Sequence, residues 1–167
     1  VQVWHNSGVL WTDVIRQYPF VIEQVGNVVT VKEKGFETAY KNRGNWYADR
    51  QLYDSAFADY DVLARAATKD AGVWSNLGNV YALKGNYPKS LEAYSNAITY
   101  NPNNIQTYLN RGLTYSNLGK NAEALADMEK ALQLSPGMEL AHSLKVRSLL
   151  NLTRYPETIE QCNALLN

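Results

Sequence analysis

Only one cysteine, Cys162, stands among the 167 residues, which excludes an internal disulfide and any cage of thiolate ligands around a metal. Histidine is almost as scarce: His5 and His142 fall at opposite ends, and neither a shared metal site nor a catalytic pair with Cys162 is expected. Charge of one sign is absent as a surplus, since 16 Lys and Arg cancel 16 Asp and Glu and neither sign runs in a block. No long-range field would then draw in nucleic acid or an anionic membrane surface. No apolar run approaches the roughly 18 to 20 residues that cross a bilayer, so membrane insertion by this segment is not expected. The start, Val1-Gln2-Val3-Trp4, has neither a basic leader nor an initiator methionine and reads as an excerpt from a longer chain. Also missing are Gly-x-x-x-x-Gly-Lys, Gly-x-Gly-x-x-Gly, His-Glu-x-x-His and Gly-x-Ser-x-Gly, the loops and helices that hold phosphates, dinucleotides, zinc or a nucleophilic serine. The expectation is a chain with no catalytic residues, no metal site and no cofactor.

What the chain does have is a period. Trp74-Ser75-Asn76-Leu77-Gly78-Asn79-Val80-Tyr81 is followed by Tyr87, Ser90, Tyr94, Ala97 and Pro102, and 34 residues later the same offsets carry Tyr108, Arg111, Gly112, Tyr115, Ala124, Met128, Ala131 and Pro136. The copy before it carries Tyr40, Arg43, Gly44, Tyr47, Tyr53, Ala56, Tyr60 and Leu63. Positions 4, 7, 8 and 11 of each copy have the i, i+3, i+4, i+7 spacing of one helical face, the apolar stripe of a first helix. Glycine at position 8 and a small residue at position 20 let a second, antiparallel helix approach closely. Asn101-Pro102 and Ser135-Pro136 end the second helices, because proline biases its predecessor away from helical geometry.

These residues resemble the tetratricopeptide-repeat family, strongly over residues 37 to 136 and weakly over 139 to 167. The resemblance implies an all-α superhelical solenoid of about three and a half to four helix-turn-helix repeats, divided 37–70, 71–104, 105–138 and 139–167. Residues 1–36 precede the array as a half-repeat and an insertion. In the half-repeat, Ser7 to Tyr18 reads as a lone second helix with Trp11 at the aromatic position. Val3-Trp4-His5-Asn6-Ser7, Leu10-Trp11-Thr12-Asp13-Val14-Ile15 and Tyr18-Pro19 also resemble the junction in membrane O-glycosyltransferase-like proteins that carry a tetratricopeptide tail. That second likeness implies an extracytoplasmic tail of a membrane protein. In the insertion, Val21 to Val25 and Val28 to Lys32 are rich in β-branched residues and flank Gly26-Asn27, which predicts a hairpin with Val25 opposite Val28 and Ile22 opposite Val31. A decorating loop is the other reading of these residues. In the last copy Val146 replaces the glycine and Thr158 the small residue, which predicts a looser pair holding Tyr155, Ile159 and a buried Cys162.

A functional pattern runs along the stripe opposite the core, at positions 2, 6, 9 and 13 of the first helices. Position 6 is Asn42, Asn76 and Asn110, position 9 adds Asn45 and Asn79, and position 13 adds Asn117 and Asn151. A carboxamide offers both a donor and an acceptor, so a row of them suits the backbone of an extended peptide whatever its sequence. Simple solubility of an outer face is the plainer explanation of the same asparagines. The row resembles the asparagine ladder of peptide-gripping tetratricopeptide arrays. Lys41, Asn45 and Asn76 also occupy three of the five positions of the carboxylate clamp of chaperone-binding members, but Gln106 and Asn110 stand where its further cations belong. The reading is a non-catalytic scaffold that binds a protein or peptide in a concave groove through Asn42, Asn45, Asn76, Asn79, Asn110, Asn117 and Lys41. The alternatives are assembly, a homo-oligomer through apolar ends included, and acceptor presentation within a larger glycosyltransferase-like protein. Finally, Arg43 and Arg111 each have an aspartate 16 residues on, Asp59 and Asp127, whereas Leu77 has Ala93 there. That exchange predicts two partly buried ion pairs across a helix pair.

Overall fold

In the computed structural model, residues 11–13, 15–16, 22–25, 28–31 and 36–166 are described. Residues 11–13 and 15–16 are helical, and the rest of the expected front helix lies outside the described residues. Strands β1 (Ile22–Val25) and β2 (Val28–Val31) pair antiparallel with Ile22 opposite Val31 and Val25 opposite Val28; Gly26 and Asn27 between them are not described.

The remainder is an array of helices: α1 (Phe36–Asp49), α2 (Tyr53–Arg65), α3 (Ala71–Leu83), α4 (Tyr87–Tyr100), α5 (Ile105–Asn117), α6 (Asn121–Leu134), α7 (Glu139–Asn151) and α8 (Tyr155–Leu166). Each packs chiefly on its neighbours in sequence, the arrangement of a solenoid, so the core is a strip and not a ball. Local chemistry sets the ends. Asp70, Asn86 and Asn104 cap α3, α4 and α5 by accepting backbone N–H bonds from the first turn. After α3 and α5 the chain turns through Gly85 and Gly119 at φ 73° and 72°, in the left-handed region. Gln51 and Thr153 hold the same frame position after α1 and α7, at φ 59° and 57°.

The position-8 glycines decide how closely the pairs approach. A methyl on Gly44 would come within 2.7 Å of the Tyr60 ring, and one on Gly78 within 2.6 Å of the Tyr94 ring. Each tyrosine ring therefore packs directly against the glycine backbone, and Tyr60 and Tyr94 are buried with Leu63, Val73, Leu77, Val80 and Ala97. Where Val146 stands instead, α8 packs on α7 far more sparsely than any other helix packs on its partner. Cys162, at the frame position of Tyr60 and Tyr94, is exposed and not part of the core. The expectation of a buried Cys162 is thus corrected: among the described residues α8 packs only sparsely on α7, which leaves its thiol uncovered. Tyr155 and Ile159 are exposed as well, and of the second-helix face Thr158 is buried.

Both expected ion pairs form. Arg43 donates to the two Asp59 oxygens at 2.8 and 2.6 Å, and Arg111 to those of Asp127 at 2.9 and 2.7 Å. The carboxylates are almost sealed, with side-chain exposures of 3% and 6%. Each guanidinium also stands over two tyrosine rings, Tyr40 and Tyr47 for Arg43 and Tyr108 and Tyr115 for Arg111. Burial pushes the Asp127 carboxyl up, against the pull of Arg111.

Candidate functional site: a repeated carboxamide trough

The carboxamides bond to one another. Asn45 Oδ1 accepts from the Tyr60 hydroxyl at 2.8 Å and from Asn76 Nδ2 at 2.9 Å. One frame step on, Asn79 Oδ1 accepts from the Tyr94 hydroxyl at 2.7 Å and from Asn110 Nδ2 at 2.8 Å. Each unit joins position 9 of one first helix, position 24 of its second helix and position 6 of the next first helix. The units thus clasp α1 to α3 and α3 to α5. At the following step the same three positions are Leu113, Met128 and Leu144, and no such polar unit exists there.

Two consequences follow for binding. The acceptor oxygens of Asn45 and Asn79 are occupied from within, so the row is less open than free carboxamides would be. Their Nδ2 groups, two donors apiece, are not consumed by these bonds. Burial pushes the Tyr60 and Tyr94 phenols up to about 12, so at neutral pH both are protonated donors that fix how each asparagine is turned.

Beside each unit lies a pocket. The first, of about 430 Å³, is lined by Asn45, Ala48, Asp49, Tyr53, Tyr60, Asn76, Asn79, Val80 and Leu83. The second, of about 420 Å³, is lined by Asn79, Ala82, Leu83, Tyr87, Tyr94, Asn110, Leu113, Thr114 and Asn117. Every residue of the second is the 34-residue successor of one in the first. The two are one pocket built twice, sharing Asn79 and Leu83 as a common wall.

Of the residues expected to bind, Asn45, Asn76, Asn79, Asn110 and Asn117 are brought together here. Asn42 is half-buried and lines neither pocket. It precedes the first complete unit, so no earlier position-9 asparagine stands behind it. Lys41 is bound to Asp70, the α3 cap, and lines neither pocket. Burial opposes the charge of Asp70, but Lys41 and the Gly72 and Val73 amides outweigh it and hold the carboxyl below its usual range. Lys41 is therefore taken up in a contact with the α3 cap. Asn151 donates to Asn121 Oδ1 at 3.1 Å. The pockets also take in Asp49, Leu83 and Leu113, which lie on the same stripe but are not carboxamides, and Tyr53 and Tyr87, which reach them from the second helices. The recurrence of the Asn45 and Tyr60 pair 34 residues later, as Asn79 and Tyr94, is the sequence signal that points to the units. Among the described residues no group of His, Cys, Asp and Glu is placed to hold a metal ion, and no helix is long and apolar enough to cross a membrane.

Comparison with known proteins agrees with this architecture. Residues 78–119 match a model described as TPR repeat, and residues 105–138 one described as tetratricopeptide repeat. The chain is 34% identical over 83 residues to Hsp70-Hsp90 organizing protein 3 of Arabidopsis thaliana, which is 50% of this chain and 15% of that protein. It is 30% identical over 122 residues to the protein O-mannosyl-transferase TMTC1 of Homo sapiens, 71% of this chain and 14% of that one. The chain thus spans about a seventh of the length of either relative. Among solved structures, the first TPR of Spaghetti (RPAP3), bound to the HSP90 peptide SRMEEVD, superposes with a TM-score of 0.67 at 23% identity, over 70% of this chain and 93% of that one. With its period, its stacked helix pairs and these matches, the chain is a tetratricopeptide-repeat array, an α-α solenoid.

Proposed function

We propose that this array is a non-catalytic scaffold that holds an extended segment of another protein in the trough along α1, α3 and α5. The observation that carries the reading is the twin unit: at two successive steps an asparagine is oriented by a buried tyrosine and a neighbouring asparagine so that its N–H₂ is left over at a pocket. Donors at a regular spacing suit the carbonyls of an extended backbone and ask little of its side chains. The similarity to Hsp70-Hsp90 organizing protein 3, together with the bound peptide of the Spaghetti domain, supports a peptide as the kind of ligand. The clamp type of recognition is not supported here, because Lys41 is spent on Asp70 and Gln106 donates to Asn110 at 2.8 Å.

The test uses the chain's own third step. Replacing Asn79, Tyr94 and Asn110 together by Leu, Met and Leu copies the set at Leu113, Met128 and Leu144, a combination this fold already accommodates. Capture of peptides from a display library should fall at least about tenfold, the loss expected when hydrogen bonds to a ligand go unmade. The far-ultraviolet circular dichroism should be unchanged. Undiminished capture by a folded triple variant would rule the trough out.

The likeness to protein O-mannosyl-transferase TMTC1 favours a second reading, in which the array is the protein-binding arm of a longer membrane enzyme and presents an acceptor to it. Assembly through the last pair, where Tyr155 and Ile159 are 58% and 61% exposed, is distinguished by light scattering of the purified chain.

A further inference from the structure

The twin pockets differ at four of their nine matched positions, and besides Val80, which becomes Thr114, three differences have a sense. Asp49 in the first becomes Leu83 in the second, and Asn79 becomes Leu113. Leu83, which closes the far side of the first, becomes Asn117. Asp49 is exposed, and among the described residues it has no ion pair and no side-chain hydrogen bond. Its charge reaches into the pocket, since it helps push the Tyr60 phenol up after burial has done most of that work. The first pocket is therefore bordered by an exposed carboxylate that has no ion-pair partner among the described residues. The second has two leucines in the corresponding places, Leu83 and Leu113, 62% and 41% exposed.

We infer that the trough selects extended segments carrying a basic side chain and an apolar side chain three residues apart, the Lys or Arg entering the Asp49 pocket and the apolar residue the Leu83–Leu113 pocket. The inference rests on the proposal that the trough binds extended chains and adds which ones. The spacing comes from geometry. First helices joined side by side by asparagine bonds stand about 10 Å apart, and an extended chain advances roughly 3.1 to 3.4 Å per residue, so one step takes about three residues. In the polyproline II conformation residues i and i+3 face the same way, which presents both side chains to the floor together. The carboxamide donors do not fix chain direction, so both orders of the two side chains are accommodated. The charge sense is opposite to that of SRMEEVD, the acidic peptide held by the Spaghetti domain.

The experiment measures fluorescence anisotropy of labelled, otherwise Gly-Ser-Pro nonapeptides against the intact chain, in both orders. One peptide has Lys and Leu three residues apart; others replace Lys by Gln or by Glu, replace Leu by Ser, or move Leu to the adjacent residue. The Lys–Leu peptide should bind about tenfold more tightly than its Gln counterpart, with the Glu form weakest and the adjacent-residue form losing the gain. Raising salt should shrink the Lys advantage. Asp49→Asn should abolish the Lys-over-Gln gap, and Leu113→Asn should shrink the Leu-over-Ser gap. If the peptides bind but Lys, Gln and Glu forms are equal, or the gap survives in Asp49→Asn, the selectivity is wrong and the trough stands. If none binds at any concentration tested, the trough and its selectivity fall together.

Discussion

At the scale of single residues, the two buried tyrosines make a prediction about alkaline pH. An ordinary tyrosine titrates near 10, and burial pushes Tyr60 and Tyr94 up to about 12. Because the folded state holds these protons more tightly than the unfolded state, the stability they contribute is complete below about pH 10 and declines as pH rises toward 12. Absorbance at the phenolate band should therefore show a late step from these two tyrosines, coinciding with loss of helicity. A single titration near pH 10 with the fold intact would contradict the burial argument. The ion pairs are a second case. Asp59→Ala strands a guanidinium in a nearly closed site and should cost about 3 kcal/mol, whereas Arg43→Leu with Asp59→Ala recreates the Leu77 and Ala93 arrangement of the next pair and should be close to neutral. Urea melts of the single and double variants measure the difference.

At the scale of the element, the interesting quantity is how near two helices can come. Alanine in place of glycine inside a helix gains about 1 kcal/mol of propensity, but overpacking costs about 1 to 3 kcal/mol. At Gly78 the added methyl meets the rigid Tyr94 ring at 2.6 Å, so Gly78→Ala should destabilise by about 1 to 2 kcal/mol. At Gly112 the nearest atom is the terminal methyl of Met128, which can swing aside, so Gly112→Ala should fall near zero. Thermal melts that rank the two the other way would overturn the notch as the control of packing. The same notch explains what the sequence did and did not reveal. Period, helix pairs and the two ion pairs could be read from residue spacing, because each follows from which positions share a face. The fate of Cys162 could not, because its position is apolar in the pattern and its exposure depends on how sparsely α8 packs on α7. The asparagine units were half legible. Spacing put the carboxamides on one stripe, but only the fold brings Asn45 within reach of Tyr60 and Asn76, and so decides which of their donors and acceptors are already used.

At the scale of the whole molecule, an array with nearest-neighbour packing has no single stability; each helix pair adds its own term and the interfaces it shares. The α3–α4 and α5–α6 pairs have close internal packing and a neighbour on either side, and the clasps at Asn45 and Asn79 tie α3 to both of its first-helix neighbours. The α7–α8 pair lacks the glycine notch, lacks a polar unit and leaves Tyr155, Ile159 and Cys162 exposed. It should therefore open well before the middle does. Hydrogen exchange should show α8 amides exchanging first and α3 to α5 amides last, and a disulfide reagent should label Cys162 in the native state as fast as it labels a short peptide thiol. Val146→Gly with Cys162→Tyr restores the notch and the ring that fills it, and should slow exchange across α8 while leaving α3 unchanged. If α8 is instead as protected as α4 in the unaltered chain, the sparse packing of the last pair does not govern its stability, and a contact beyond nearest neighbours must hold it.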